Sequence, residues 1–110
     1  MGKTILQRGA RGIMKQLKLG QNKGNSRIWI EIKEGELQFK FWLKGARYNR
    51  EVTEDAIILR RISDGKYKVS GKPNLSIIDL SGKWLTKWGN GCQRVTMTDR
   101  KAEYIEIKRA

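Results

Sequence analysis

Apolar positions in this chain come in short bursts separated by glycine and charged residues, and only brief stretches fit a helical period. Ile28, Trp29, Ile30 and Ile32, with Glu31 and Lys33 alternating, form a β-branched and aromatic run that predicts a strand opening the folded part at Arg27, with Trp29 in the core. Between Glu34 and Lys44 two periods compete. Leu37 and Phe41 stand four apart, as on a helix, whereas Leu37, Phe39 and Phe41 alternate as on a strand, so periodicity leaves this segment open. After Gly45, Tyr48 to Val52 and Ala56 to Ile62 read as strands, and Ile57, Ile58, Leu59 and Ile62 supply core. Asp64-Gly65 then makes a tight turn into a strand from Lys66 to Ser70.

Residues 71–74, Gly-Lys-Pro-Asn, make the clearest break and read as a linker. Beyond it come a strand over Leu75 to Leu80, a turn at Ser81-Gly82 and a short helix over Lys83 to Trp88, ended by Gly89-Asn90-Gly91, residues that tolerate positive φ. A strand from Cys92 to Thr98, a turn over Asp99 to Ala102 and a strand from Glu103 to Lys108 close the chain. The order strand, short helix, glycine loop, strand, turn, strand therefore occurs twice, 46 to 48 residues apart. The expected organisation is a basic arm over 1–26, a first unit over 27–70, the linker, and a second unit over 75–110. In the arm, Ile13, Met14 and Leu17 lie at helical spacing and suggest a short amphipathic turn among glycines.

Charge changes the picture most. Twenty-four Lys and Arg against 11 Asp and Glu leave a net +13 on 110 residues, far more than solubility requires, and no acidic residue precedes Arg27. A phosphate backbone rewards such an excess by releasing condensed counterions, so nucleic acid is the expected partner. The chain has no histidine and one cysteine, Cys92, which removes Ser-His and Cys-His catalysis, an internal disulfide and the usual zinc sites. No metal, cofactor or enzymatic activity is expected, and Cys92 reads as a small core residue. No apolar run approaches the roughly 20 residues of a membrane span and no export signal opens the chain, so a cytoplasmic, nucleoid-associated location is expected, with no membrane partner.

The segment Ile-Ile-Asp-Leu-Ser-Gly-Lys-Trp-Leu from Ile77 to Leu85, followed by Gly91, Val95 and a closing strand ending at Ile107, resembles the SymE toxin family, part of the AbrB and MazE superfamily of swapped-hairpin β-barrels. Arg27 to Ile62 looks like a diverged copy, with Trp29, Leu37, Phe41, Gly45, Tyr48 and Ile58 in corresponding places, and the two copies span about three quarters of the chain. The resemblance implies a mainly β fold with short helices, in which tandem AbrB-like units form within one chain the pseudo-dimer barrel that the family builds from two. It implies DNA binding by a monomeric pseudo-dimer or a homodimer. A unit of three or four strands cannot close its own edges or bury both faces, which makes interleaving of two such units physically coherent.

The leading candidate site follows from the repeat. Lys40, Lys44, Arg47 and Arg50 surround the first helix and glycine loop, Lys83, Lys87 and Arg94 the second, and the arm adds Lys3, Arg8, Arg11 and Lys15. Lys and Arg there would serve phosphates, and Arg also base edges. Arg60, Arg61, Lys66, Lys68 and Lys72 extend the track, although Arg60 and Arg61, as strand neighbours, must face opposite ways. Trp42, Trp84 and Trp88 could stack on unpaired bases but serve equally as core. Two other functions fit the same sequence: a SymE-like toxin acting on RNA, and a small phage-type, anti-defence inhibitor docking on an acidic protein surface.

Overall fold

The computed structural model describes residues 14–100 and 104–110. The chain is mainly β and runs in order through β1 (Met14–Lys18), β2 (Gly20–Asn22), β3 (Asn25–Lys33), a 3-10 turn (Leu37–Phe41), β4 (Arg47–Val52), β5 (Ala56–Arg61), β6 (Tyr67–Lys68), β7 (Ser70–Lys72), β8 (Leu75–Gly82), α1 (Lys83–Gly89), β9 (Arg94–Arg100) and β10 (Tyr104–Arg109). These strands make two antiparallel sheets, one of six strands in the order β1-β9-β10-β5-β4-β6 and one of four in the order β2-β3-β8-β7. Both sheets end in short edge strands, and they do not join into a closed barrel.

Each sheet order reads the same from either edge if β1, β2, β3, β4 and β5 are exchanged for β6, β7, β8, β9 and β10. The exchange pivots on β3 against β8, where Ile30 faces Ile78, and on β5 against β10, where Ile57 faces Ile107 and Leu59 faces Ile105. Strands of the first half thus pair with strands of the second at both centres, and the outermost strands cross over as well, β1 onto β9 and β6 onto β4.

The core lies between the sheets. Ile28, Ile30 and Ile32 of β3 with Ile78 and Leu80 of β8 face Ile57, Leu59, Val95, Met97, Ile105 and Ile107. The ends are plugged by Phe39 and Trp42 around the 3-10 turn and by Leu85 and Trp88 from α1. The helix stops where the sequence predicts: Asn90 takes a left-handed conformation and donates its N–H to the Thr86 carbonyl at 3.2 Å.

Several sequence expectations change. The segment over 34–44 is neither a regular helix nor a strand but one 3-10 turn, short enough to place Phe39 inward while Lys40 stays in solvent. Met14–Lys18 is a strand rather than a helical turn, because Leu17 sits inward opposite Val95 on the exposed edge of β9. Much of the segment read as an arm is therefore in sheets, while residues 1–13 lie outside the described residues. Gly71 and Lys72 belong to β7, and the Pro-Asn break is the bend of the β7–β8 hairpin. Of the turn expected over 99–102, Asp99 and Arg100 belong to β9, and residues 101 and 102 lie outside the described residues. Trp29 is 41% exposed, because Ile28, Ile30 and Ile32 take the inward positions of β3 and the two-residue alternation forces Trp29 outward.

Candidate nucleic-acid interface

Alternation decides which side chains leave the core. On β5, Ile57 and Leu59 point inward, so Ile58 and Arg60 point out; on β10, Ile105 and Ile107 point inward, so Tyr104, Glu106 and Lys108 point out. The same logic sends Arg47, Asn49 and Glu51 outward from β4, where Tyr48 is buried, and Arg94 and Thr96 outward from β9, where Val95 and Met97 are buried.

Lateral pairing then assembles one face. Arg94 lies beside Lys18 of β1, Thr96 beside Lys108, Tyr104 beside Arg60, Arg60 beside Asn49, and Arg47 beside Lys68. Six basic side chains thus share the outer face of the six-stranded sheet with two acidic ones, Glu51 and Glu106, among the described residues. Arg60 sits 3.9 Å from the Glu51 carboxylate and 5.0 Å from the centre of the Tyr104 ring. Both partners of that ion pair are largely exposed, so it holds Arg60 weakly.

The outer face of the four-stranded sheet carries fewer cations, Arg27, Lys33 and Lys72, with Asp79 and Glu31 among them. Arg27 makes two 2.9 Å hydrogen bonds to the Asp79 carboxylate and lies 4.5 Å from the centre of the Trp29 ring. The bond to Asp79 raises the Arg27 pKa further above its ordinary value, so the pair stays ionised. Trp29 in turn donates its indole N–H to Glu31 at 2.9 Å, which leaves Lys33 as the remaining cation among the β3 side chains of that face.

The described residues among those expected from sequence separate into three groups. Arg47 and Arg94 sit on the basic face, at opposite corners. Lys40, Lys44, Lys83 and Lys87 are exposed around the 3-10 turn and α1, the elements that follow β3 and β8. Arg50 and Lys15 are engaged internally. The Arg50 guanidinium lies 4.0 Å from the Trp84 ring centre and 4.6 Å from that of Tyr67. The Lys15 ammonium reaches the Glu36 carboxylate at 3.4 Å and the Glu31 carbonyl at 3.2 Å. Lys3, Arg8 and Arg11 lie outside the described residues.

Trp42 and Trp88 are buried, the Trp88 indole donating to the Thr53 carbonyl at 3.1 Å, and Trp84 stacks on Arg50, so these three belong to packing. Arg60 and Arg61 do face opposite ways, Arg61 lying 5.8 Å from the Phe41 ring centre. Lys108, Tyr104 and Asn49 were missed as site residues. The signal was present in the alternation of Ile105 and Ile107 on the last strand, but it acquires meaning only once β10 is known to lie beside β5.

The strand exchange that leaves each sheet unchanged carries β9 onto β4, β10 onto β5 and β1 onto β6. It therefore exchanges Arg94 with Arg47, Lys108 with Arg60, and Lys18 with Lys68. Beside the Arg47 corner, Gly45, Ala46, Arg47, Arg61, Ile62 and Ser63 line an open depression of about 510 Å³. Arg47 is oriented there by donation to the Gly65 carbonyl at 3.0 Å. In the other half, Lys87, Trp88, Asn90, Arg109 and Glu54 line a smaller one of about 330 Å³. Arg109 is anchored there by 2.7 Å bonds to the Trp88 and Glu54 carbonyls. Among the described residues no group of three or more cysteine, aspartate or glutamate side chains could hold a metal ion, and no helix is long and apolar enough to cross a membrane.

No known protein-family pattern matches this chain, and neither does any curated protein or solved structure.

Proposed function

We propose that the chain is a non-catalytic nucleic-acid-binding protein that holds DNA through phosphate contacts made by the outer face of its six-stranded sheet. The observation that carries this reading is the segregation of charge. On the outer face of the four-stranded sheet Arg27, Lys33 and Lys72 stand with Asp79 and Glu31, and Arg27 is tied to Asp79, whereas among the described residues the outer face of the six-stranded sheet carries six cations with two carboxylates on laterally paired strands. Fixed cations on a sheet suit phosphate oxygens, which position a nucleic acid without reading its sequence. The same reading takes the chain as two tandem units of the SymE and AbrB kind interleaved into a pseudo-dimer. Support comes from the strand order, identical from either edge, and from pairing of each half with the other rather than with itself at the sheet centres.

Binding to a mixed-sequence 20-base-pair DNA, followed by fluorescence anisotropy across a salt titration, tests the proposal. If the face engages about five phosphates, the dissociation constant rises roughly 500-fold between 50 and 200 mM salt, from a slope near 0.9 per phosphate. Arg60→Ala combined with Lys108→Ala lowers that slope by about two, while Lys33→Ala, on the opposite face, leaves it unchanged. Equal effects of the two variants, or no binding at 50 mM salt, would overturn the assignment of this face.

A further inference from the structure

We infer that the edge of β3 from Trp29 to Lys33 takes up an extended, acidic peptide segment of a partner protein as an added strand. The inference goes beyond the DNA-binding reading and does not depend on it. β2 pairs with β3 only over Asn25 to Arg27, and the residues before β2 lie in the other sheet, where β1 pairs with β9. Among the described residues no strand covers this side of β3 beyond Arg27. Side chains stand in for one. The Lys33 N–H donates to the Glu36 carboxylate at 2.6 Å, the Glu31 carbonyl accepts from the Lys15 ammonium at 3.2 Å, and Lys15 and Glu36 pair with each other at 3.4 Å. A donor and an acceptor of the edge are thus met by one ion pair held where a neighbouring strand would lie.

This clasp is replaceable. Both of its side chains are partly exposed, and an ion pair in that setting contributes little. The strand exchange carries β3 onto β8, and the matching edge there is closed differently: Trp84 donates its indole N–H to the Ser81 carbonyl at 2.9 Å and packs against the Arg50 guanidinium at 4.0 Å. The edge of β8 is therefore shut by stacked rings, whereas that of β3 is shut by an ion pair beside the exposed Trp29. An open groove of about 510 Å³, lined by Lys15, Leu17, Trp29, Glu31, Lys33 and Glu36, runs along it.

The groove defines its occupant. A strand in line with β2 runs antiparallel to β3. Its residues opposite Lys33, Glu31 and Trp29 share the outer face, and the two between them point toward β1. Glu31 already accepts the Trp29 indole N–H at 2.9 Å, and an incoming backbone displaces Glu36. Lys33 and Lys15 then await counter-charge at one end, and Trp29 and Leu17 await apolar cover at the other. The fitting segment is acidic opposite Lys33, acidic toward Lys15, small and polar opposite Glu31, apolar toward Leu17 and aromatic beside Trp29. The net charge of +13 attracts such a partner and repels a second copy of this chain. Main-chain pairing supplies the affinity and these positions supply the selectivity.

The capped peptide Asp-Glu-Thr-Val-Phe, carrying a fluorophore and titrated with the full chain by anisotropy, tests this. Saturable binding is expected, with amide shifts in heteronuclear NMR centred on Trp29, Glu31 and Lys33. Methylating the threonine nitrogen, whose N–H is aligned with the Glu31 carbonyl, should weaken binding about tenfold, the worth of one backbone hydrogen bond. The peptide Lys-Lys-Thr-Val-Phe should bind at least about tenfold more weakly. Glu36→Ala, which removes the clasp, should tighten binding about two- to fivefold, and Arg60→Ala with Lys108→Ala, on the other sheet, should leave it unchanged. If Glu36→Ala fails to fold, the two altered peptides carry the test on the wild-type chain.

No binding of the peptide, or equal binding of its methylated form, overturns the added strand. Equal binding of the lysine peptide overturns the acidic partner. A Glu36→Ala chain that self-associates and takes up no peptide shows the clasp to be a guard against other strands and overturns the proposal. Phosphate binding by the six-stranded sheet is read separately, by the DNA titration above, and stands or falls without these outcomes.

Discussion

Arg50 separates what the sequence suggests from what the structure assigns. By sequence it belongs with Lys44 and Arg47 in a phosphate-binding cluster; in the fold its guanidinium lies between two rings, 4.0 Å from Trp84 and 4.6 Å from Tyr67. Tyr67 stacks on Tyr48 at 5.6 Å, and Tyr48 meets Trp42 edge-on at 6.0 Å. One ladder of side chains therefore ties α1 to β4, pins the two-residue edge strand β6 and ends on a fully buried tryptophan.

Replacing Arg50 with methionine keeps most of the aliphatic stem and removes the charge from both rings. Each cation–π contact is worth about 0.5–1 kcal/mol near the surface and more when shielded, and Arg50 is half-buried, so the expected loss is about 1.5 kcal/mol. In urea this shifts the midpoint without changing the m-value, and it lowers Tm by about 6–9 °C for a domain of this size. Arg50→Ala, which also strips the stem from Trp84, should cost about 1 kcal/mol more. The salt slope for DNA should be unchanged in Arg50→Met and should fall by about one in Arg47→Ala. Arg50→Met within 0.5 kcal/mol of wild-type stability, or with a salt slope reduced as much as that of Arg47→Ala, would refute the assignment of Arg50 to packing.

Other consequences are as direct. Gly71 has φ +112° and a Cβ there would lie 2.1 Å from the Leu75 carbonyl oxygen, whereas at Gly20, in the exchanged strand, the nearest atom would be 3.6 Å away; Gly71→Ala should cost about 3 kcal/mol or more in urea unfolding and Gly20→Ala under 1 kcal/mol. Ile30→Ala and Ile78→Ala, facing each other at a sheet centre, should each cost about 2–5 kcal/mol, with the double variant departing from the sum because the two cavities merge. Burial raises the Tyr48 pKa above the ordinary tyrosine value, against a smaller lowering by Arg50. The folded state therefore keeps this proton after the unfolded chain has lost it, and the stabilisation, complete below about pH 10, declines as pH rises through the folded value; Tyr48→Phe should flatten that decline in thermal melts between pH 9 and 11.5.

The parts of the fold legible in the sequence are those set by local pattern. Ile57 and Leu59, Ile77 and Ile78, and Ile105 and Ile107 mark their strands without help from the rest of the chain, and Gly89-Asn90-Gly91 marks the end of α1. Segments that take their structure from distant partners were not legible. Met14–Lys18 has no strong β pattern and becomes a strand because β9 offers it an edge. The hairpin before β3 depended on Lys23 and Gly24 both adopting positive φ, a turn suited to the twist of paired strands but disguised among basic residues. For the same reason the candidate site was half visible. Arg47 and Arg94 could be matched through the repeat, but Lys108 joins them only through the pairing of β10 with β5, and Arg50 leaves them only through rings that come from β6 and α1.

The two halves differ on the face proposed to bind DNA. Where the strand exchange carries the cationic corners onto each other, it carries Tyr104 onto Ala56 and Asn49 onto Thr96, so the row Tyr104, Arg60, Asn49 has a plainer counterpart in Lys108, Ala56 and Thr96. A homodimer cannot make this distinction, because every substitution appears twice. In this chain the corner cations Lys18, Arg94, Arg47 and Lys68 keep a two-fold arrangement while the row beside one corner carries a ring and an amide. If the face binds a DNA duplex through its phosphates as proposed, equal corners leave the two orientations of the duplex alike and the unequal row gives them different energies. A duplex carrying a fluorophore at one end should therefore show unequal energy transfer to a dye placed at either corner, and replacing Tyr104 and Asn49 with alanine and threonine should bring the two orientations toward equality.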